Sequence, residues 1–269
     1  MSMASNTLTD IPGLKVGHAT DPARATGTTA VIFDEPSVCA VDVRGGAPGS
    51  RDTELLRPDK TVQTVDAIVL SGGSAFGLDA CGGVSAWLAE NGRGFLIGTM
   101  RVPIVPGAIV FDLLSGGDKD WGRFSPYRDL GYQAAAAATA GPVALGSIGG
   151  GTGATTADLK GGIGSASALA PSGHRVGAIV IVNAVGSATI GASGHFWAAT
   201  DEVAAEFGGL GLPSPWPSDA HALKLKGARP ENTTIALVVT DAVLDKGQAT
   251  HLAVMAQDGL GRAIRPIHT

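Results

Sequence analysis

At 269 residues the chain is long enough for one large domain, and a hydrophobic fraction of 44% supplies a packed core. The net charge is −5 and the 19 Lys and Arg are scattered, which leaves no basic face for nucleic acid or an anionic membrane. Cys39 and Cys81 are too few for a disulfide framework or a Cys-rich zinc site and read as small core residues. No window reaches the ~18 apolar residues of a membrane span, and "MSMASNTLTDIPGLKVGHAT" has no basic segment followed by an apolar block. The expectation is one cytoplasmic domain over residues 1–269. Glycine is the outlier, with 40 residues, roughly twice the usual ~7% share, and without a repeat to explain it.

In chain order, short apolar and β-branched runs predict buried strands over 29–33, 38–43, 67–70, 143–148, 175–183 and 233–241. Between them, "SAFGLDACGGVSAWLAENG" has helical spacing: Leu78, Cys81, Val84 and Leu88 form one stripe, Ser74 is the expected N-cap and Asn91-Gly92 the stop. Residues 208–229 carry Pro213, Pro215 and Pro217 and read as an exposed linker. After the last strand, "DKGQATHLAVMAQDGLGRAI" pairs Asp245 with Gln248 at capping-box spacing and sets Leu252, Met255, Ala256 and Ala263 toward a core.

Several motifs suggest chemistry and fall short. Gly149, Gly151 and Ala154 fit G-x-G-x-x-A, but residues 162–175 contain no acid for ribose hydroxyls, and Lys160 is outside a P-loop frame. Gly72-Gly73-Ser74-Ala75-Phe76 misses a nucleophile elbow by one glycine. The six histidines show no metal-ligand spacing. No metal and no cofactor is expected.

The stretch "GARPENTTIALVVTD" sets a polar turn against a strand beginning at Thr233. It reads either as a loop entering a core strand or as the junction of a self-cleaving precursor. A threonine hydroxyl needs an adjacent base, and its own α-amine, freed by cutting the preceding peptide bond, serves with a reference pKa of about 7.7–8.

Seven segments then occur together and in order: "AVDVRGGAPGSRDTELLRP", "VDAIVLSGGSAFGLDACGGV", "VPIVPGAIVFDL", "LKGGIGSAS", "VNAVG", "NTTIALVVTDA" and "AQDGLGRAIRPIHT". In these the chain resembles the DmpA-type L-aminopeptidase/D-esterase family, which also holds β-peptidyl aminopeptidases and endo-type nylon-oligomer hydrolases. The resemblance covers nearly the whole chain. It implies an α+β fold, a four-layer αββα sandwich of the N-terminal-nucleophile type, in a precursor that cuts itself between Asn232 and Thr233. Large and small subunits would be residues 1–232 and 233 onward, with Thr233 the nucleophile. Carried over by motif, Lys160 and Asn183 line the site. Lys160 would tune the amine of Thr233 or polarise its hydroxyl, and Asn183 would donate to the oxyanion. Phe76 stands on the substrate side, where many members have Tyr in "SGGSAYG".

The implied activity is amide hydrolysis of peptides, D-amino acid amides or esters, or 6-aminohexanoate oligomers. The implied assembly is a homo-oligomer, a tetramer by resemblance. The alternatives are acyl transfer of the ornithine acetyltransferase type and a catalytically dead binding protein. The family continues past "RPIHT" into an acidic D-G-D-T strand that orients the amine, so a chain ending at Thr269 is expected to process slowly or stay intact and to show little hydrolysis.

Overall fold

The computed structural model describes residues 5–226 and 232–268. β1 (Leu14–Asp21) and β2 (Thr26–Val38) form an antiparallel hairpin, with Leu14 opposite Phe33 and Asp21 opposite Thr26. β3 (Ser50–Arg51) is short, and β4 (Thr64–Ser71) pairs antiparallel with β2. The β2–β4 register slips between Ile32 and Ser37, where Pro36 has no N–H to give the ladder. Helix α1 (Ala80–Glu90) follows a 3₁₀ stretch over Ser74–Asp79. β5 (Phe95–Ile97) and β6 (Met100–Val102) make a separate two-stranded ribbon. β7 (Gly107–Ile109) lies parallel to β4 and antiparallel to β3, completing a five-stranded sheet of order β1-β2-β4-β7-β3.

Helix α2 (Tyr127–Ala136) packs beside α1. β8 (Gly162–Leu169), β9 (Arg175–Val182) and β10 (Ile235–Thr240) form a second, antiparallel sheet of order β10-β9-β8, and the long helix α3 (Lys246–Ala263) follows.

Alternation along the strands assigns the faces. Val31, Phe33, Ile68 and Leu70 of the first sheet meet Ile163, Ile179, Ile181 and Ile235 of the second in one buried cluster. The residues between them, Ala30, Ile32, Ala67 and Val69, pack on the other side against Cys81, Val84 and Leu88 of α1 and Tyr127, Leu130 and Ala134 of α2. On the outer face of the second sheet, Val180, Val182, Ala236 and Val238 look across at Leu252, Ala256 and Leu260 of α3 over an apolar cavity of about 730 Å³. The layers therefore run α, β, β, α. Among the described residues no helix is long and apolar enough to cross a membrane.

Several sequence expectations need correction. Residues 38–43 are not a strand of their own: β2 ends at Val38, after which Cys39 and Val41 pack on the core as irregular chain. Residues 143–148 are not a strand either, because they make only a single bridge, Gly146 to Ile163. Ser74 does not cap α1; it lies inside the 3₁₀ stretch at φ 52°, and Asp79 is the N-cap residue. Met255 points away from the core and is 58% exposed. Asn91 and Gly92 do end α1, and Asp245 and Gln248 do form the capping box of α3. The last strand begins at Ile235 and not at Thr233. The polar turn and the end of the linker, residues 227–231, lie outside the described residues.

Candidate active site

β9 delivers Asn183 one residue past its end, on the face that carries Ile179 and Ile181, so this amide is fully buried between the two sheets. β10 pairs with β9 with Ile235 opposite Ile181, and the same register continued backward sets Thr233 opposite Asn183. The Thr233 N–H donates to the Asn183 carbonyl at 3.0 Å. The Asn183 side chain is committed at both ends. Its Oδ1 accepts from the Thr155 N–H at 3.0 Å and from Lys226 Nζ at 2.9 Å, and its Nδ2 donates to the Phe111 carbonyl at 3.1 Å. Two donors on one side and an acceptor on the other fix which atom is oxygen, and the amide keeps one further N–H to offer. Lys226 Nζ also donates to the Thr155 carbonyl at 3.2 Å, and the Lys226 N–H to the Val185 carbonyl at 2.9 Å.

The Gly-rich segment supplies Thr155. Its 3₁₀ turn, Gly149–Gly151, is wedged between the sheets: a Cβ on Gly150 would lie 2.5 Å from the Leu70 carbonyl oxygen and 2.6 Å from Ile181 Cδ1. Those glycines serve close backbone approach and do not form a phosphate cradle. The segment then turns back through a bridge between Thr155 and Lys160 into β8. Gly162 pairs with Val182, so Lys160 reaches the end of the sheet on the β8 side of Asn183 while Thr233 stands on the β10 side. The Lys160 side chain is exposed, and the ammonium that touches Asn183 is that of Lys226.

Behind Asn183, the Phe111 carbonyl is followed by Asp112, which is also fully buried. Asp112 accepts from the Gly73 N–H at 2.8 Å and the Thr26 hydroxyl at 2.6 Å, and Thr26 Oγ1 lies 3.1 Å from the Tyr127 hydroxyl. Burial raises the Asp112 pKa against the opposing effect of these two hydrogen bonds, and burial raises that of Tyr127 as well. Added Cβ atoms on Gly72 and Gly73 would each come within 2.1 Å of the Asp112 carboxylate and the Tyr127 ring respectively, so only glycines fit that turn. Outward, Tyr127 meets Trp121 edge-on at 5.9 Å between centroids and Trp121 meets Phe76 at 5.2 Å. Phe76 is half exposed at the outer end of this line of contacts.

Lys226, Thr155 and Asp112 were not singled out in the sequence. Asp112 had a signal, as a lone acid inside the apolar run "GAIVFDLL". Lys226 had none, lying in an irregular stretch where no period assigns a face. Burial raises the thiol pKa of Cys39 to about 11 and of Cys81 to about 12, consistent with inert packing residues. Among the described residues no group of three or more His, Cys, Asp or Glu could hold a metal ion.

Two face-to-face sheets between helices, with a threonine just ahead of the edge strand β10, give the class of fold, that of the N-terminal-nucleophile hydrolases. The chain belongs to Peptidase family S58, whose model matches residues 6–269. It is 43% identical over 281 residues to a protein of Mycobacterium leprae (strain TN) described as an uncharacterized aminopeptidase, covering 100% of this chain and 76% of that one. It is 28% identical over 266 residues to the 6-aminohexanoate-oligomer endohydrolase of Kocuria sp. (strain KY2), covering 97% and 70%. The L-aminopeptidase D-Ala-esterase/amidase of Ochrobactrum anthropi, described as a variant of the Ntn hydrolase fold, superposes with a TM-score of 0.67 at 22% identity, covering 97% of this chain and 70% of that one. The protein is a peptide- or amide-bond hydrolase of the DmpA type.

Proposed function

We propose that Thr233 is the nucleophile and that the bond between Asn232 and Thr233 is cut by Thr233 itself. The observation that supports this most is the 3.0 Å bond from the Thr233 N–H to Asn183, whose side chain is gripped by Lys226 and Thr155. In the first reaction the Thr233 hydroxyl attacks the Asn232 carbonyl carbon, the C–N bond breaks so that the α-amine takes the proton and is freed while an ester remains, and water then hydrolyses that ester to release the Asn232 carboxylate and restore the Thr233 hydroxyl. In turnover that amine takes the hydroxyl proton while the oxygen attacks the substrate carbonyl. It then protonates the leaving amine, and water resolves the acyl-enzyme. The spare N–H of Asn183 steadies the oxyanion, Lys226 and Lys160 hold positive charge at this end of the sheet, and Phe76 lines the approach of the substrate.

The substrates on this reading are short peptides, amino acid amides or esters, and 6-aminohexanoate oligomers, and no cofactor enters. The enzyme works in the cytoplasm as a homo-oligomer, tetrameric as the resemblance implies. The β5–β6 ribbon supports assembly, since Phe95, Ile97 and Met100 are 65%, 58% and 67% exposed.

Denaturing electrophoresis and N-terminal sequencing test the proposal. The full-length gene product is expected to yield a smaller fragment starting at Thr233, and Thr233→Ala an intact, folded and inactive chain. A different start, or parental amide hydrolysis by Thr233→Ala, overturns it.

A further inference from the structure

Past Asn183 the chain runs four residues to Ser187, which exchanges two backbone hydrogen bonds with Arg265 at 2.9 and 3.0 Å. The Arg265 guanidinium carbon lies 3.9 Å from the centroid of the Trp197 ring. Together with Ser187, Thr189, His221 and Lys224 these two side chains line a cavity of about 120 Å³. We propose that this cavity is a recognition subsite for a carboxylate, the free acid end of a short amide substrate whose scissile bond lies at Thr233. The proposal rests on the active site proposed above.

The charges in the cavity favour an anion. Lys224 is already answered by Asp158 at 2.7 Å, and the same carboxylate takes the Ser187 hydroxyl at 2.9 Å and the Thr189 hydroxyl at 3.2 Å. Arg265 has no carboxylate within ion-pair distance among the described residues, so one positive charge is left over. The Trp197 ring beside it restricts where the Arg265 guanidinium sits, and the planar fork of a guanidinium is what a carboxylate reads with two parallel hydrogen bonds. The volume admits a carboxylate and the carbon that bears it, and excludes a nucleotide. Four residues of extended chain span at most about 14 Å, so the subsite is within reach of an acid two to four residues beyond the scissile bond.

Two measurements with separate readouts test this. Hydrolysis of L-alanyl-glycyl-glycyl-glycine, whose acid lies three residues beyond the Ala–Gly bond, is compared with that of its C-terminal amide. Arg265→Gln is expected to lower the acid-over-amide ratio of kcat/KM at least tenfold, chiefly through KM, with Arg265→Lys falling between. An unchanged ratio overturns the subsite. In Thr233→Ala protein, N-acetylglycine, N-acetylglycinamide and inorganic phosphate are titrated while the indole N–H of Trp197 is followed by NMR. The acid should shift that signal saturably, the amide should not, and Arg265→Gln should abolish the response. No response to the acid, or an equal one to phosphate, overturns carboxylate recognition. Saturable acid binding in a protein that hydrolyses neither peptide supports the pocket and sinks the proposed function.

Discussion

Thr233 and Thr234 are neighbours with opposite surroundings, because successive side chains of an extended chain point to opposite faces. Thr233 continues the face of buried Ile235 and meets Asn183, whereas the Thr234 hydroxyl is buried with no hydrogen-bond partner among the described residues. Thr234→Val, which keeps the shape and removes that hydroxyl, should therefore leave turnover within about twofold and keep or raise stability. Asn183→Ala should lower turnover by at least about a hundredfold, the scale of one oxyanion donor. If Thr234→Val is the inactive variant and Asn183→Ala the active one, the roles of the two faces are reversed. Asp112 carries a pH dependence. Its folded pKa is raised above 3.8, so its contribution to stability is fullest below pH 3.8 and is lost as pH rises through the folded value. Asp112→Asn removes that titration, and the melting temperature of the wild type relative to the variant should fall from acid to neutral pH. A constant difference would show that the carboxylate does not titrate between the two states.

The helix α3 shows what a local rule delivers and where it stops. The Asp245 carboxylate accepts from the Gln248 N–H at 2.7 Å and the Asp245 N–H donates to Gln248 Oε1 at 2.9 Å. Asp245→Ala should cost about 1 kcal/mol in denaturant unfolding, and a loss below a few tenths would mean that the helix start is held by tertiary contacts alone. That cap was legible because it needs only two residues three apart, and the strands around 29–33, 67–70 and 175–183 were legible because β-branched runs favour pleated, buried surfaces. The run at 143–148 has the same composition, yet a strand also needs a partner along its length, and only Gly146 finds one. The site divides along the same line. Thr233 and Asn183 stand in recognisable motifs, while Lys226 and Thr155 meet Asn183 only after the chain has folded back over 43 and 28 residues.

For the molecule as a whole, cutting at Thr233 would divide the chain without dividing the fold. The piece from Thr233 onward adds β10 to β9 through six register pairs and sends Ile235, Leu237 and Val239 into the cluster between the sheets. It is anchored again by Lys246, only 5% exposed, whose ammonium donates to the carbonyls of Leu55 at 3.0 Å and Val62 at 2.9 Å. Ser187 and Arg265 tie its far end back to the larger piece. After cleavage the two fragments should therefore co-elute in gel filtration under native conditions and separate only in denaturant. Lys246→Met keeps the length of the stem and removes the donor, leaving buried carbonyls that each cost about 1–3 kcal/mol when unsatisfied. This variant should release the small fragment at a lower denaturant concentration than the wild type. Spontaneous separation of wild-type fragments in native buffer would mean that the covalent link, and not the sheet and the Lys246 anchor, holds the last strand in place.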